Sequence, residues 1–223
     1  MGSITIHKPG LLTTVQDAGR FGYQQYGMPV SGVMDLESMK VANYLVGNQE
    51  NEACLEATAI GPEIVFNDRA YIAICGADMN PQVNNKEVQM YKTLPVEKGD
   101  SLTFGGLKAG FRTYIAISGG IDVPVVMGSK STYLRGKMGG YKGRQVKKGD
   151  VIPIGSMDKN IELKELAGDK LPTYKECFSA RIIPGPEADY FTVKGLADFL
   201  DSEFMLTQQC DRMGYRLTGT KIE

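Results

Sequence analysis

The sequence predicts a mainly β protein whose short strands curl into a closed or nearly closed barrel. From Cys54 onward, short apolar runs alternate with turns rich in glycine, asparagine and aspartate. The pair Asn84-Asn85 can supply the positive φ angles of a tight hairpin. A Lys-Gly-Asp turn recurs at residues 98–100 and 148–150, and each copy leads into a strand-like run. Many short strands joined in this way favour a barrel over a parallel sheet.

Individual strands are predicted where apolar runs are bounded by turn residues. The first is expected just before Pro9-Gly10, which ends it. One helix is expected in this part of the chain, with Asp35 as its N-cap and Gly47 as its C-terminal stop. The predicted strands are residues 3–7, 54–58, 63–66, 71–75, 82–84, 86–89, 94–96, 101–104, 112–118 and 151–154.

The chain is predicted to divide into a first β domain at residues 1–155, a polar, lysine-rich linker at 156–178 and a second unit at 179–223. In the second unit we expect a strand at 180–183, a helix at 188–200 and strands at 204–207 and 215–218. With about forty residues, this unit is too short to form a second barrel.

Composition excludes several classes of function. The 223 residues carry a net charge of −1, so nothing attracts nucleic acid or an anionic membrane electrostatically. A single histidine, His7, rules out a multi-histidine metal site, and we expect no metal. The four cysteines form no Cys-x-x-Cys pair and are expected to be buried free thiols. Without a signal peptide or an apolar span, a cytoplasmic protein is expected.

The most informative stretch is residues 11–48, where glycines alternate with polar side chains. Gln16, Asp17 and Arg20 fall in its first part, and Asp35 precedes the predicted helix. Carboxylate, amide and guanidinium groups supply acceptors and forked donors, and glycine permits close approach of the backbone. This pattern suits recognition of a small polar molecule. The alternative is a tight turn stapled by an Asp17–Arg20 ion pair.

Two further segments carry polar groups. The run Gly128-Ser-Lys-Ser-Thr132 lacks the spacing of a nucleotide phosphate loop, yet its backbone amides, Ser129 and Lys130 can bind an anion or a carboxylate. The alternative is a solvated loop. A second group of aspartate and arginine side chains comprises Asp211, Arg212 and Arg216.

Many of these motifs occur in the order found in one known family. The chain resembles the biotin-dependent carboxyltransferase (allophanate hydrolase subunit 2) family, which includes the C subunit of 5-oxoprolinase, also called the KipI antagonist. The matching motifs are Thr14-Val-Gln-Asp-Ala-Gly-Arg20, Gly27-Met-Pro-Val-Ser-Gly-Val-Met-Asp35, Ala42-Asn43, Val46-Gly-Asn48, Leu55-Glu56, Gly61-Pro62, Tyr71-Ile-Ala-Ile-Cys-Gly-Ala77, Tyr114-Ile-Ala-Ile-Ser-Gly-Gly120, Gly128-Ser-Lys-Ser-Thr132 and Asp211-Arg-Met-Gly-Tyr-Arg216.

The resemblance implies a fold of two cyclophilin-like β-barrels. Residues 1–155 would form the first, and residues 179–223 would begin a second, incomplete one. Members of the family usually run about a hundred residues further, in keeping with ordinary domain sizes. The chain also departs from the family at Lys130, where arginine is expected more often. That change keeps the charge but loses the forked donor.

The resemblance also implies a function with partners. In 5-oxoprolinase, the C subunit works with the A and B subunits to open the lactam of 5-oxo-L-proline to L-glutamate, with ATP consumed by the complex. The B subunit is KipI-like and similar to allophanate hydrolase subunit 1. A first alternative is the carboxyltransferase part of a urea carboxylase, which would use biotin. A second is a non-enzymatic regulator that binds a KipI-like kinase inhibitor.

From the family we hypothesise that Gln16, Asp17 and Arg20 line a cleft for a small amide or ureido substrate. Asp17 would accept a substrate N–H or act as a base, and Arg20 would bind a carboxylate or polarise a carbonyl. Supporting or substrate-binding roles are expected for Asp35, Asn43, Asn48, Ser129, Lys130, Asp211, Arg212 and Arg216.

Overall fold

A computed structural model describes residues 2–157, 161–175 and 177–223 of the chain. The chain forms two compact units, Met1–Tyr174 and Lys175–Glu223, and each is described by itself. The first unit contains the helix α1 (Leu36–Leu45) and eleven strands within the described residues. The strands are β1 (Gly2–Lys8), β2 (Leu12–Gln16), β3 (Cys54–Thr58), β4 (Glu63–Phe66), β5 (Ala70–Asp78), β6 (Pro81–Val83), β7 (Lys86–Glu87), β8 (Leu94–Val96), β9 (Ser101–Phe104), β10 (Ala109–Ile117) and β11 (Val151–Ile154).

These strands form two antiparallel sheets that enclose one apolar core. One sheet has the order β11-β1-β4-β9-β6-β7 and the other the order β2-β3-β10-β5-β8. Ile4 and Ile64 of the first sheet and Leu55 and Ile115 of the second are fully buried in the same cluster. The prediction of a mainly β fold built from many short strands is confirmed.

Strand β2 was missed by the sequence prediction, which treated its residues as part of a glycine-rich recognition segment. It pairs antiparallel with β3 from Leu12, opposite Thr58, to Gln16, opposite Cys54. The run Leu-Thr-Thr-Val-Gln has two strongly apolar residues, Leu12 and Val15, at a spacing of three, so alternation is a weak signal there. The strand is nevertheless almost fully buried, because the side chains of Thr13, Thr14 and Gln16 are hydrogen-bonded inside the fold.

Alternation along the second sheet separates an apolar face from a polar one. Val15, Leu55 and Ile115 point into the core between the sheets. Gln16 and Glu56, which directly follow Val15 and Leu55 in their strands, therefore point to the opposite face. Both side chains are buried although they are polar. The candidate site lies on this outer face, which α1 partly covers.

Helix α1 begins as predicted. The Asp35 side chain caps it by accepting a hydrogen bond from the Ser38 N–H at 3.0 Å. Met39 and Ala42 face the sheet and pack in one buried cluster with Cys54 and Cys75. Burial raises the pKa of both thiols, so they are unreactive.

The two other cysteines differ from the prediction of buried thiols. Cys177 is exposed and Cys210 is half-buried. Both belong to the short second unit, where few residues are buried at all. A small unit buries too little surface to enclose every apolar side chain.

The turns follow their predicted chemistry. Asn84 and Asn85 have φ angles of 51° and 63° in the β6–β7 hairpin. In the repeated Lys-Gly-Asp turn, the Asp100 carboxylate accepts from the Glu97 N–H at 2.8 Å, and the Asp150 carboxylate accepts from the Lys147 N–H at 2.7 Å. The side chain that closes the turn is therefore the same in both copies.

The segment after β11 includes residues that pack on the first unit. The Thr93 N–H donates to the Lys164 carbonyl at 2.9 Å, and the Leu166 N–H donates to the Tyr91 carbonyl at 2.9 Å. Residues 164–166 thus add to the edge near β8, although they lie in the stretch predicted as a linker. The part of that linker prediction that concerns residues 158–160 and 176 lies outside the described residues.

The second unit consists of α2 (Val193–Asp201) and a hairpin of β12 (Phe204–Asp211) and β13 (Gly214–Gly219). Residues 180–183, predicted as a strand, are irregular: no strand of the described residues pairs with them, and Ile183 is 93% exposed. The helix starts later than predicted because Thr192 caps it, accepting from the Gly195 N–H at 2.9 Å. Within the described ranges, no helix has the length and apolar character to cross a membrane.

We expect Leu55→Ala to destabilise the first unit by about 2–5 kcal/mol, because it leaves a cavity where a fully buried side chain packs between the sheets. Urea unfolding followed by circular dichroism measures this change. Leu11→Ala is the matched control, since Leu11 is 58% exposed and should cost about 0.5 kcal/mol or less. Equal losses for the two variants would contradict the position of the core.

The Asp150 turn predicts a pH dependence. The Arg144 guanidinium binds Asp150 with two hydrogen bonds of 2.7 and 2.8 Å and holds the pKa of that carboxyl below its ordinary 3.8. Because protons bind more weakly in the folded state, the resulting stability is complete above about pH 5 and is lost as the pH falls through 3.8 towards the folded value.

Asp150→Asn should therefore lower the unfolding free energy at pH 7 by about 1–3 kcal/mol. It should also flatten the decline that the unmodified chain shows between about pH 5 and pH 3. Urea unfolding at pH 7, 5 and 3 tests this, with the exposed Asp122→Asn as the control. A variant with the same pH profile as the unmodified chain would show that the Arg144 contact contributes nothing.

Candidate functional site

The Asp17 carboxylate joins two distant parts of the chain on the outer side of β2. Its Oδ1 accepts hydrogen bonds from the Gly19 N–H at 2.9 Å, the Ser129 hydroxyl at 2.7 Å and the Ser131 hydroxyl. Its Oδ2 accepts from the Lys130 N–H at 2.6 Å. We call residues 128–132 the serine loop; the Asp17 side chain binds three of its residues to the segment after β2.

The serine loop was interpreted either as a binding site for an anion or a carboxylate or as a solvated loop. The loop is not solvated: Ser129, Ser131 and Thr132 are at most 2% exposed. It does bind a carboxylate, but the carboxylate is that of Asp17. Since its donors are occupied, the loop does not fit the phosphates of ATP. The four donors also satisfy the lone pairs of Asp17, which favours a positioning role for this residue over the hypothesised role as a base.

Arg20 has no ion pair with Asp17, so the alternative of a turn stapled by that ion pair is wrong. Its side chain is fully buried, and its Nε and Nη2 donate to the carbonyls of Val126 at 3.0 Å and Ser131 at 2.9 Å. Among the described residues, no carboxylate lies within ion-pair distance of it, and Nη1 has no hydrogen-bond partner. A buried cation with an unoccupied donor is expensive unless something else binds there.

Gln16 has an unoccupied acceptor, whereas Arg20 has an unoccupied donor. It is fully buried at the end of β2, where its Nε2 donates to the Thr14 hydroxyl at 3.0 Å and to the Thr132 carbonyl at 3.3 Å. Its Oε1, an acceptor, has no hydrogen-bond partner among the described residues. The carbonyls of Ser131 and Thr132, consecutive in the serine loop, thus orient Arg20 and Gln16 respectively. The two side chains offer one unoccupied donor and one unoccupied acceptor.

Lys130, Asn43 and Asn48 extend this network. Lys130 Nζ donates to Glu52 Oε1 at 2.6 Å and to the Ile121 carbonyl at 3.0 Å. Asn43 donates to the Glu52 carbonyl at 2.7 Å and accepts from Asn48 Nδ2 at 3.0 Å. The structure therefore brings these three predicted residues into contact with the Asp17 cluster, through Glu52. Every polar atom of the two asparagine side chains is used inside the fold, which favours a supporting role.

Asp35 is held on the same sheet face by a different contact. Its backbone N–H donates to the Tyr114 hydroxyl at 2.8 Å, and that hydroxyl donates to Glu56 at 3.0 Å. Glu56, which is 1% exposed, also accepts from the Met34 N–H at 2.9 Å and lies 3.7 Å from Arg112 Nε. Burial raises the pKa of Tyr114, so its hydroxyl stays protonated and remains a donor.

The residues predicted from the second Asp/Arg group belong to the second unit. Asp211 accepts hydrogen bonds from the N–H groups of Met213 at 2.7 Å and Gly214 at 3.2 Å, which closes the β12–β13 turn. Arg216 donates to Gln209 at 2.5 Å. Desolvation lowers the pKa of Arg212 to about 10, which leaves it charged at neutral pH. These contacts are those of a hairpin turn, and a substrate role for the three residues stays a prediction.

Sequence reasoning missed four members of the network: Ser131, Glu52, Glu56 and Tyr114. Ser131 stood in the selected serine loop, and Glu56 and Tyr114 stood in quoted motifs, but a polar residue within a strand-like run gives no sign of which face it occupies until the register is known. Within the described residues, no cluster of three or more histidine, cysteine, aspartate or glutamate side chains could hold a metal ion.

Asp17→Asn tests the role of the carboxylate as a structural link. The amide would place an N–H₂ group against at least one of the four donors, so we expect a loss of about 1–3 kcal/mol in unfolding free energy, measured by urea unfolding. Asp122→Asn, an exposed site, is the control and should change stability by less than about 0.5 kcal/mol. A loss at Asp17 as small as the control would contradict the linking role.

Comparisons with known proteins agree with the resemblance seen in the motifs. Residues 26–223 match the family described as the carboxyltransferase domain, subdomain A and B. The chain is 37% identical to the C subunit of 5-oxoprolinase from Escherichia coli over 97% of its own length and 68% of that protein. It is also 37% identical to urea amidolyase of Lachancea kluyveri, over 97% of its own length but 12% of that protein.

A solved structure extends the likeness to three dimensions. The crystal structure of the K. lactis urea amidolyase superposes with a TM-score of 0.88 at 33% identity, covering 99% of this chain and 14% of that one. The chain thus corresponds to a small part of the urea amidolyases and to about two thirds of the bacterial subunit. On this evidence, the chain belongs to the carboxyltransferase domain family, subdomains A and B.

Proposed function

We propose that the chain is a subunit of a 5-oxoprolinase complex, which opens the lactam of 5-oxo-L-proline to L-glutamate at the expense of ATP. The observation that carries the proposal is the buried pair of unoccupied groups, Arg20 Nη1 and Gln16 Oε1. The 37% identity to the E. coli subunit supports it.

The chemistry of the substrate fits these two groups. A lactam presents one carbonyl acceptor and one N–H donor, and 5-oxoproline adds a carboxylate. Arg20 would donate to the carbonyl or to the carboxylate, and Gln16 would accept from the N–H. In the overall reaction the amide C–N bond breaks, water adds a hydroxyl to the carbonyl carbon, and the nitrogen gains a proton.

Fixed orientation makes this pair suited to catalysis. Arg20 is held by two carbonyls and Gln16 by a hydroxyl and a carbonyl, so neither reorganises when charge develops on a carbonyl oxygen. Asp17 would act through the others by holding the serine loop, whose Ser131 carbonyl orients Arg20. Because the donors of the serine loop are occupied, we place the ATP site of the complex outside this loop.

A carboxyltransferase role is the second candidate. It rests on the equal, 37%, identity to the Lachancea urea amidolyase and on the family description. Urea and the ureido ring of biotin also present a carbonyl beside N–H groups, so Arg20 and Gln16 would suit either. Biotin dependence therefore separates the two candidates.

The test is release of glutamate from 5-oxoproline by this chain mixed with the A and B subunits of the same organism. We expect release that needs ATP and this chain, and that avidin does not inhibit. Arg20→Lys should lower kcat/KM by about 100-fold or more, because lysine cannot donate to two carbonyls and a ligand in the same geometry. Arg69→Lys is the control, since Arg69 is 56% exposed.

Three results would count against the proposal. Inhibition by avidin, with carboxylation of urea, would favour the carboxyltransferase role. Tight binding of the B subunit without any turnover would favour the regulatory role. Full activity of Arg20→Lys and of Gln16→Met, both checked for folding by circular dichroism, would remove the assigned pair from the site.

A further inference from the structure

Residues 21–29, which follow Arg20, form a projecting loop that we call the aromatic loop. Its base is closed by the Arg20 N–H, which donates to the Val30 carbonyl at 2.7 Å. The two arms approach so closely that a Cβ on Gly19 would lie 2.7 Å from Val30, and one on Gly32 would lie 2.8 Å from the Ala18 carbonyl. The loop therefore leaves the fold at a narrow neck beside the candidate site.

The aromatic loop has a defined conformation of its own. The Tyr23 carbonyl accepts from the N–H groups of Tyr26 at 3.0 Å and Met28 at 3.3 Å, and the Gln24 carbonyl accepts from Gly27 at 2.9 Å. These bonds form the 3-10 turn Gln24–Tyr26 at its tip. A loop ordered by internal bonds loses less conformational entropy when it binds a partner.

The side chains that this loop presents are aromatic and uncharged. Phe21 is 66% exposed and Tyr26 is 74% exposed. No residue from 21 to 34 carries a charge. Single exposed apolar residues are ordinary, but enrichment in aromatic residues with depletion of charge is the composition of the buried centre of protein interfaces.

A second uncharged segment borders the neck of the loop. The Arg20 side chain binds the Val126 carbonyl at 3.0 Å, and the neighbours Val125 and Met127 are 62% and 39% exposed. Residues 123–129 carry no charge. The aromatic loop and residues 125–127 thus flank the same buried guanidinium.

We infer that the aromatic loop and residues 125–127 form the docking surface for a protein subunit that offers an uncharged, apolar recess. The inference rests on the proposed function, in which the chain works beside other subunits. It also rests on the absence of charge from these two segments, because burying them strands no ion. A subunit seated there would lie beside the two segments that flank the buried Arg20 side chain. Phe and Tyr each bury about 150–250 Å², which suits them as anchors.

Binding of the B-subunit homologue from the same organism tests the inference, with Kd measured by isothermal titration calorimetry. The double variant Phe21→Ser/Tyr26→Ser should raise Kd at least about tenfold. The matched control is Tyr44→Ser/Phe111→Ser, since these aromatic residues are 59% and 50% exposed elsewhere on the first unit. It should change Kd less than about twofold. Circular dichroism checks that both variants are folded.

Equal effects of the two double variants, or no binding by the unmodified chain, would overturn the inference. So would self-association in sedimentation that only the loop variant abolishes, because a second copy would then be the occupant. Glutamate release measured on the same samples separates the two proposals. Release with loop variants that bind normally refutes the docking surface alone, whereas loop-dependent binding without release supports the surface and refutes the proposed function.

Discussion

The candidate site of the first unit depends on one carboxylate. Asp17 binds four donors, three of which belong to the serine loop more than a hundred residues further along the chain. Without that contact, Thr132 would still bind the Val15 carbonyl through its N–H and its hydroxyl, but Ser129 and Lys130 would lose their bonds to the segment after β2. The carbonyls that orient Arg20 and Gln16 would then be held less firmly. The contact between Asp17 and the serine loop thus helps to fix the orientation of Arg20 and Gln16, the two side chains that we assign to the substrate.

One face of the second sheet buries polar side chains. Gln16, Glu56 and Tyr114 are buried there, whereas the opposite face of the same strands is apolar. Buried polar groups are expensive unless they are bonded, and nearly all of these are. Three buried side-chain atoms among the described residues of the first unit have no hydrogen-bond partner: Gln16 Oε1, Arg20 Nη1 and Arg112 Nε. Arg112 Nε lies 3.7 Å from the Glu56 carboxylate, whereas Gln16 Oε1 and Arg20 Nη1 lie beside groups that are otherwise well satisfied.

Local patterns predicted much of the fold. The strands between Cys54 and Phe104, the N-cap at Asp35 and the hairpin at Asn84 follow from alternation and turn chemistry, which act over a few residues. The predictions failed at β2 and at residues 180–183, because strand pairing determines whether these segments are strands. β2 was missed although it pairs with β3. Residues 180–183 were predicted as a strand but have no pairing partner among the described residues.

The sequence selected several residues of this network but did not predict how they connect. Gln16, Asp17, Arg20, Ser129 and Lys130 do meet in one network. An Asp17–Arg20 ion pair is the natural expectation from a spacing of three residues, yet the structure pairs Asp17 with the serine loop instead. Sequence alone cannot show this choice, because the partners are separated by about half the chain and depend on the register of β2.

The most direct test of the account is the crystal structure of the assembled complex with 5-oxoproline bound. We expect an oxygen of the ligand to lie about 3 Å from Arg20 Nη1, while the ring N–H donates to Gln16 Oε1. We also expect Asp17 to keep its contacts with the serine loop. A ligand bound elsewhere, with a buried water satisfying Nη1 and Oε1, would contradict the account.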